Sequence, residues 1–383
     1  MDAQELIAVL TQGIRAFTWA NGVMIAAGAL LIFLAIVRGY EPLLLLPIGA
    51  GCIFANLGMS AYAPGSWLAT IYKFGIETEL LPLLIFVGVG AMIDFRPLLA
   101  QPRLVLMGAA GQVGIYITLL LAALLGFNMK EAAAIGVIGA IDGPTAIFVA
   151  TQLAPHLLGP IAVAAYSYMS LIPIIHPPLM RLLTTPTERR VRMEYAPRPI
   201  SRAAVLIFPM AVTIFVSLLA PAAAPLIASL MLGNLLREAL VVERLSLAAQ
   251  HEIANISTLF LGLAIGATMT ADRFLYSPVT GFQWQTLMVL ALGLFAFIMD
   301  TVAGLLFGKF MYVVSGRKIN PLIGACGISA FPMAGRLAAQ VAQEEDYSNY
   351  LLMHAMGANT AGQLGSVVAG GLLLALVTGL GLA

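Results

Sequence analysis

IGVIGAIDGPTAIF, residues 135–148, and IGACGISAFPMAGR, residues 323–336, are the two stretches that decide the fold. Each is apolar, contains several glycines and one proline, and holds one charged residue, Asp142 in the first and Arg336 in the second. Glycine and proline at these positions leave backbone groups outside the hydrogen-bond pattern of a helix. Such irregular backbone is tolerated at membrane depth only where it faces protein or water. Both stretches therefore predict interrupted membrane helices.

The two stretches also match in register, as expected of a duplicated unit. At a constant offset of 188 (324 − 136), Gly136 aligns with Gly324 and Pro144 aligns with Pro332. Interrupted segments at corresponding positions of two halves indicate a transport site at the interface between repeats. Two glycine-rich packing helices are the simpler alternative, because glycine is common in membrane helices. The matched register and the added charges favour interrupted helices.

The composition of the whole chain is that of a membrane protein. Of the 383 residues, 61% are hydrophobic and 10% are charged, whereas soluble domains are about 25% charged. Apolar runs long enough to cross a hydrocarbon core of about 30 Å recur along the chain. We predict an all-α polytopic membrane protein of two inverted repeats, whose interrupted, re-entrant helices meet at a central ion site. The net charge of +1 gives no sign of nucleic-acid binding.

A polar linker divides the chain into two halves. It reads TPTERRVRMEYAPRPISR and is rich in arginine, which places it in the cytoplasm. When the membrane crossings are counted in both directions from this linker, the first interrupted segment enters the membrane from outside and the second enters from the cytoplasm. The two repeats are therefore predicted to be inverted. The predicted divisions are an N-terminal amphipathic segment (1–19), a first repeat (20–184) with its broken segment (131–154), a cytoplasmic basic linker (185–202) and a second repeat (203–383) with its broken segment (320–343).

Asp142 is the strongest candidate for chemistry. A carboxylate at bilayer depth costs at least about 2.5 kcal/mol unless it is paired or hydrated. Asp142 lies in a Gly-Pro break, beside freed carbonyls and Thr145. Carboxylate, carbonyl and hydroxyl oxygens are the ligands that small, hard cations prefer. We expect a sodium site here; a structural ion pair with Arg336 is the alternative.

Arg336 follows the second break and is expected to point into the same cavity as Asp142. A planar guanidinium binds a carboxylate through two parallel hydrogen bonds, so a carboxylated substrate would suit it. Other polar residues of the second half supply neutral donors and oxygens, with helix–helix hydrogen bonding as their alternative role. They are Asn320, Ser329, His354, Asn359, Gln363 and Ser366.

Two tyrosines and a second carboxylate also lie deep in apolar sequence. Tyr166 and Tyr168 are too far from the segment ends to belong to an interfacial belt, so one phenol is a candidate proton donor; packing with a bonded hydroxyl is the alternative. His176 is expected to be structural, and Asp300 is a weaker candidate for a second ion site.

Four longer stretches resemble one family, the β subunits of the biotin-dependent sodium-pumping decarboxylases. That family comprises the oxaloacetate, methylmalonyl-CoA, glutaconyl-CoA and malonate enzymes. The stretches are GAIDGPTAIFVATQLAP, AVAAYSYMSLIPIIHPPLMRLLTT, NPLIGACGISAFPMAGRLAAQV and HAMGANTAGQLGSVVAGG. The similarity begins near residue 40 and continues to the C-terminus.

The resemblance implies an activity and a set of partners. A carboxyltransferase subunit makes carboxybiotin on a mobile biotin carrier protein, and the β subunit decarboxylates it, consumes a proton and exports Na⁺. No biotin is attached to the β subunit itself. The resemblance also implies a small membrane γ or δ subunit, further copies of this chain in the complex, and the inner membrane of a bacterium or archaeon.

Carried over by position, the resemblance assigns roles to residues, among them the family's essential aspartate at Asp142 and its essential tyrosine at Tyr168. Together with the residue chemistry above, it gives three predicted sets. They are a catalytic set (Tyr168, Arg336, Ser329, Asn320), a carboxybiotin-binding set (Arg336, Ser329, Asn320, Gly324) and a sodium set (Asp142, Thr145, Asn359, Ser366). A sodium-coupled secondary carboxylate transporter and a purely structural membrane anchor are the alternative functions.

Overall fold

The computed structural model describes residues 11, 13–193, 199–277, 279 and 281–379, so most of the predicted N-terminal amphipathic segment lies outside the described residues. Five helices of the described ranges are long and apolar enough to cross a membrane, or up to seven if each of two bent pairs is one span. The prediction of an all-α, multi-pass membrane protein is confirmed.

The elements are numbered along the described chain. The helices are α1 (Trp19–Val37), α2 (Pro42–Asn56), α3 (Trp67–Tyr72), α4 (Leu80–Met92), α5 (Arg96–Ala100), α6 (Val105–Ala110), α7 (Val113–Leu124), α8 (Met129–Gly136), α9 (Gly143–Leu153), α10 (Leu158–Leu183), α11 (Pro186–Arg189), α12 (Arg202–Leu219), α13 (Ala224–Ala239), α14 (Glu243–Ala248), α15 (Ala254–Thr268), α16 (Ala271–Phe274), α17 (Trp284–Val314), α18 (Met333–Glu345) and α19 (Leu352–Gly379). The 3₁₀ turns are Pro102–Leu104, Val137–Ala140, Pro155–Leu157, Pro221–Ala223 and Pro321–Cys326, and the π turns are Lys73–Glu77 and Ala249–Ile253. Strands β1 (Tyr276–Ser277) and β2 (Gly281–Phe282) form an antiparallel hairpin.

The first predicted interruption is a hairpin of two short helices, α8 and α9. Asn128 and Glu131 form a reciprocal capping box that starts α8. The helix tightens into a 3₁₀ turn and stops at Ile141, whose φ of 53° is left-handed. Pro144, in the first turn of α9, suits the restart because a helix needs no N–H there. The hairpin leaves where it entered, since His156 after α9 contacts Glu131 at 2.8 Å.

The second interruption is also a hairpin. The chain runs through the 3₁₀ turn Pro321–Cys326 and an irregular stretch, and then returns as α18. Its two ends lie together: Asn320 donates from Nδ2 to the Arg189 carbonyl at 2.9 Å, and Glu345 forms an ion pair with the Arg189 guanidinium. Both interrupted segments are therefore hairpins whose two ends lie together, as the prediction of re-entrant segments requires.

The two hairpins open at opposite ends of α10. This helix starts two residues after His156 and ends just before the linker, and its 26 residues rise by about 39 Å, less the effect of a bend. We call the end at which His156 contacts Glu131 the far end, and the end at which Arg189 contacts Glu345 the linker end. Opposite openings agree with inverted repeats, but the repeat relation and its boundaries stay predictions.

The first part of the linker, residues 185–193, is held by more contacts than its polarity indicates. Arg189 is only 7% exposed and forms an ion pair with Glu345 at the end of α18. Its backbone carbonyl accepts hydrogen bonds from the side chains of Asn320 and Asn349. Arg192 forms two hydrogen bonds with Asp346, which hold the pKa of that carboxyl below its ordinary value. The described part of the linker therefore fastens the first half to the second hairpin instead of lying free in solvent.

Close glycine contacts build a helical bundle beside the hairpins. Helix α2 packs against α1 and α15, and α4 packs against α13. A Cβ atom added to Gly90 would collide with the backbone of α13, and one added to Gly266 would collide with the backbone of α2. Small residues let membrane helices approach this closely. A cavity remains between this bundle and the hairpins.

Candidate functional site

The two interruptions meet beside α19. The Ser329 N–H of the second interruption points to the carbonyl of Ala140 in the first, at 3.4 Å. Asn359 on α19 donates from Nδ2 to the Ile328 carbonyl at 2.7 Å, and Ser329 donates from Oγ to the Gly362 carbonyl at 3.2 Å. The Ile328 carbonyl, freed by the second interruption, thus gains a polar partner from α19, and Ser329 in return donates to a backbone carbonyl of α19.

Asp142 occupies the position immediately before α9 and is 7% exposed. Its Oδ2 accepts from Thr145 Oγ1 at 2.6 Å, from Gln363 Nε2 at 3.1 Å and from Ser366 Oγ at 3.4 Å. The positive end of the α9 dipole also favours a negative charge here. Three members of the predicted sodium set are therefore brought together, and Gln363 is added to them.

Arg336 does not join this cluster. Helix α18 begins at Met333, which lines the cavity, and Arg336 follows nearly one turn later on the return toward the linker end. The Arg336 side chain is exposed and does not line the cavity. The alternative role of Asp142, a structural ion pair with Arg336, is absent from the described contacts, because the neutral donors Thr145, Gln363 and Ser366 surround Asp142 instead.

A cavity of about 140 Å³ opens at Asp142 between the two interruptions and the bundle. By volume it can hold several water molecules. Its polar lining consists of Glu41, Asp142, Tyr166, Thr258, Ser329 and Gln363. Among the described residues that line it, two side chains are carboxylic and none is basic.

The structure brings Tyr166, and not Tyr168, to this cavity. Tyr166 is 1% exposed, and its ring lies so close to Gly143 that any Cβ atom there would clash with it. Tyr168 instead donates its hydroxyl to the Leu290 carbonyl of α17 at 2.5 Å, and its ring packs near Gly293. The phenol that can reach a molecule in the cavity is that of Tyr166.

Asn320 and Gly324 occupy structural positions. Asn320 is fully buried; its Nδ2 donates to the carbonyls of Arg189 and Val191, and its Oδ1 accepts from the Leu322 N–H. Gly324 lies against the backbone of α17, where a Cβ atom would collide with Gly304. Neither residue lines the cavity.

Three further residues that the sequence analysis named are buried but do not line the cavity. The Asn359 Oδ1 is buried and has no hydrogen-bond partner within the described ranges. Asp300 is fully buried away from the cavity, and its Oδ1 accepts from the Gly114 N–H at 2.5 Å. His176 is also buried, with Nε2 3.1 Å from Thr301 Oγ1.

Glu41 is the charged residue of the described lining that the sequence analysis missed. It stands before Pro42 at the start of an apolar run, where an acidic residue looks like the boundary of a membrane helix. Only the packing of α2 against α1, α15 and the start of the bundle places it on the cavity. Gln363 carried a better signal, since it lies one helical turn after Asn359 and so shares its face of α19.

Comparisons with known proteins agree with this architecture. The family model described as the Na⁺-transporting oxaloacetate decarboxylase beta subunit matches residues 20–377. The chain is 50% identical over 367 residues to the glutaconyl-CoA decarboxylase subunit beta of Acidaminococcus fermentans, covering 96% of each chain. It is also 50% identical over 366 residues to the methylmalonyl-CoA decarboxylase subunit beta of Veillonella parvula, covering 96% of this chain and 95% of the relative.

A third relative carries the oxaloacetate name. The probable oxaloacetate decarboxylase beta chain of Pasteurella multocida is 44% identical over an alignment of 431 positions, gaps included, which covers 96% of this chain and 97% of the relative. The relatives are thus β subunits of three decarboxylases that differ in substrate, and each aligns over nearly its whole length. The chain belongs to the family of β subunits of the Na⁺-transporting decarboxylases.

Proposed function

We propose that this subunit decarboxylates carboxybiotin, which a partner's carrier domain delivers, and uses the reaction to export Na⁺. Membership of the family supports a decarboxylase subunit that works with partner subunits. The observation that carries the proposal is the cavity lining, in which Asp142 and Glu41 face one space without a basic side chain in the described lining. A bound cation would supply the missing positive charge.

The sodium ion is proposed to bind at Asp142. The Asp142 carboxylate and the hydroxyls of Thr145 and Ser366 supply hard oxygen ligands within one cluster. Gln363 donates to the same carboxylate, and a 180° flip of its side-chain amide would present the amide oxygen as a further ligand. The unpartnered Oδ1 of Asn359 offers another oxygen on the same helix.

The carboxyl group of carboxybiotin is proposed to enter the same cavity after the bound cation has neutralised the negative charge of the cavity lining. The exposed guanidinium of Arg336 would meet the anion on its way from the linker end, and the Ser329 hydroxyl would contact it inside. The bond between the ureido nitrogen and the carboxyl carbon then breaks, CO₂ leaves, and the nitrogen keeps the electron pair. That nitrogen takes up one proton, which the Tyr166 hydroxyl is placed to deliver.

The other predicted residues have positioning roles in this proposal. Tyr168 fixes α10 against α17, Asn320 fastens the second hairpin to the linker, and Gly324 allows that hairpin to approach α17. Without the packing that these residues provide, the two interruptions would not stay in register beside α19.

Export requires that the chemistry and the ion movement be coupled. Moving one charge against a membrane potential costs about 2.3 kcal/mol per 100 mV, so the ion must not return freely to its starting side. We place the protein in the inner membrane of a bacterium or archaeon, with the basic linker end on the cytoplasmic side. The proposed partners are the carboxyltransferase subunit, the biotin carrier protein, a small γ or δ membrane subunit and further copies of this chain. Membership of a decarboxylase family disfavours a sodium-coupled carboxylate transporter without chemistry.

The test is Asp142→Asn in the purified complex, because asparagine keeps the shape of the side chain and removes its charge. We expect sodium-dependent decarboxylation to fall below detection while the complex stays assembled, and Asp142→Glu to keep some activity at higher sodium. The matched control is Asp272→Asn, which changes an exposed aspartate outside the cavity. Near wild-type turnover of Asp142→Asn at low sodium would falsify the proposal.

A further inference from the structure

A second carboxylate shares the cavity with Asp142. Glu41 stands immediately before α2 in a left-handed backbone conformation, with φ at 35°. Its side chain is half-buried and lines the cavity. Within the part of the chain that the structure describes, no side chain forms an ion pair with it. This charge therefore has no structural partner that would account for it.

Glu41 lies toward the linker end of the cavity. Helix α2 starts beside it and ends at Asn56, whose Nδ2 donates to the Met269 carbonyl at 2.9 Å. Met269 follows α15, and the last residue of that helix, Thr268, lies against Gly159 at the start of α10. The start of α10 is the far end. The opposite end of α2, with Glu41, therefore faces the linker end.

We propose that Glu41 is the sodium-admitting residue, which draws the cation into the cavity from the linker end and passes it to Asp142. This inference rests on the proposed sodium function. A carboxylate at the mouth of a cleft with apolar walls raises the local cation concentration, because such walls focus the electric field. The same charge repels the carboxylate of carboxybiotin until a cation is present, so Glu41 also favours the binding of sodium before the anion.

The experiment measures turnover of the purified complex against sodium concentration. Glu41→Gln should raise the sodium concentration for half-maximal turnover about 3- to 10-fold, as expected for the loss of one partly screened charge. Maximal turnover at saturating sodium should stay close to the wild-type value, since Asp142 and the polar groups around it remain. Glu41→Asp should lie between the two because it restores the charge on a shorter arm.

Glu79→Gln is the matched control. Glu79 occupies the same left-handed position immediately before α4, with φ at 61°, and is also half-buried, but it contacts Gln152 and does not line the cavity. Its sodium dependence should equal that of the wild type. In a second measurement, added choline chloride should shrink the difference between wild type and Glu41→Gln, because salt screens the attraction.

The outcomes separate this inference from the proposed function. A Glu41→Gln complex with wild-type sodium dependence overturns the role of Glu41, even if Asp142→Asn is inactive. If Glu41→Gln lowers turnover uniformly at every sodium concentration, Glu41 has a structural role and the inference is overturned. The inference is also overturned if the Glu41→Gln complex does not assemble while Glu41→Asp has wild-type sodium dependence. Sodium-independent turnover in Asp142→Asn instead overturns the proposed function itself.

Discussion

Tyr166 and Tyr168 lie two residues apart on α10 and contact different groups. Tyr166→Phe keeps the ring against Gly143 and removes the hydroxyl from the cavity. A positioned general acid contributes about 100-fold or more to a rate. We expect maximal turnover to fall by that order and its pH dependence to change, while the sodium concentration for half-maximal turnover stays the same. Steady-state rates across pH measure this.

Tyr168→Phe is the comparison at the neighbouring position. It removes the hydrogen bond to the Leu290 carbonyl, which we expect to cost about 1 kcal/mol of stability. A lower melting temperature would report this loss, and any remaining turnover should keep the wild-type pH profile. A Tyr166→Phe complex with full turnover and an unchanged pH profile would contradict the assignment of the proton donor.

Single residues could be predicted from the sequence where their chemistry is costly in a membrane. Asp142 could be recognised because an aspartate in a Gly-Pro break of an apolar run needs a ligand or a partner. The surroundings of Arg336 could not, since they depend on where α18 begins and on the direction in which it returns. Glu41 could not either, because its side chain reaches the cavity only through the packing of α2.

The interrupted elements depend on close backbone contacts with α19. A Cβ atom at Gly362 would lie 2.5 Å from the carbonyl oxygens of both Gly327 and Ile328, closer than real contacts allow. Gly362→Ala should push the second interruption away from α19 and cost about 1–3 kcal/mol, as overpacking of a core does. We expect a lower melting temperature and reduced turnover of the assembled complex.

Gly22→Ala controls for the substitution itself. A Cβ atom at Gly22 on α1 would meet only the Phe17 ring, at an ordinary distance of 3.8 Å. Alanine also favours a helix over glycine by about 1 kcal/mol, so this variant should be as stable as the wild type or slightly more so. Equal melting temperatures for Gly362→Ala and the wild type would contradict the tight contact.

The elements themselves could be read from the sequence because glycine and proline act locally. The positions of these residues located both hairpins, and the caps at Asn128 and Thr185 start their helices through bonds within three residues. The order within the linker could not be read in this way. It arises from the Asn320 and Asn349 amides, which reach the linker backbone from distant parts of the chain.

At the scale of the whole molecule, alternating access to one cavity from the two sides of the membrane requires the two hairpins to open toward opposite membrane surfaces. The structure places these ends at opposite ends of α10, and the proposed function assigns the linker end, with its arginines, to the cytoplasm. In the proposed function sodium enters from this side, where Glu41 lines the cavity.

Labelling of single cysteines tests this orientation. His156 follows the first hairpin at the far end and Ser348 follows the second at the linker end, and both are exposed. In a chain whose buried Cys52 and Cys326 are replaced by alanine, an impermeant maleimide added to intact cells should modify His156→Cys only. The same reagent on inverted membrane vesicles should modify Ser348→Cys only. Permeabilised membranes, in which both positions should react, control for reactivity, and modification of both from one surface would rule out opposite openings and with them the inverted repeats.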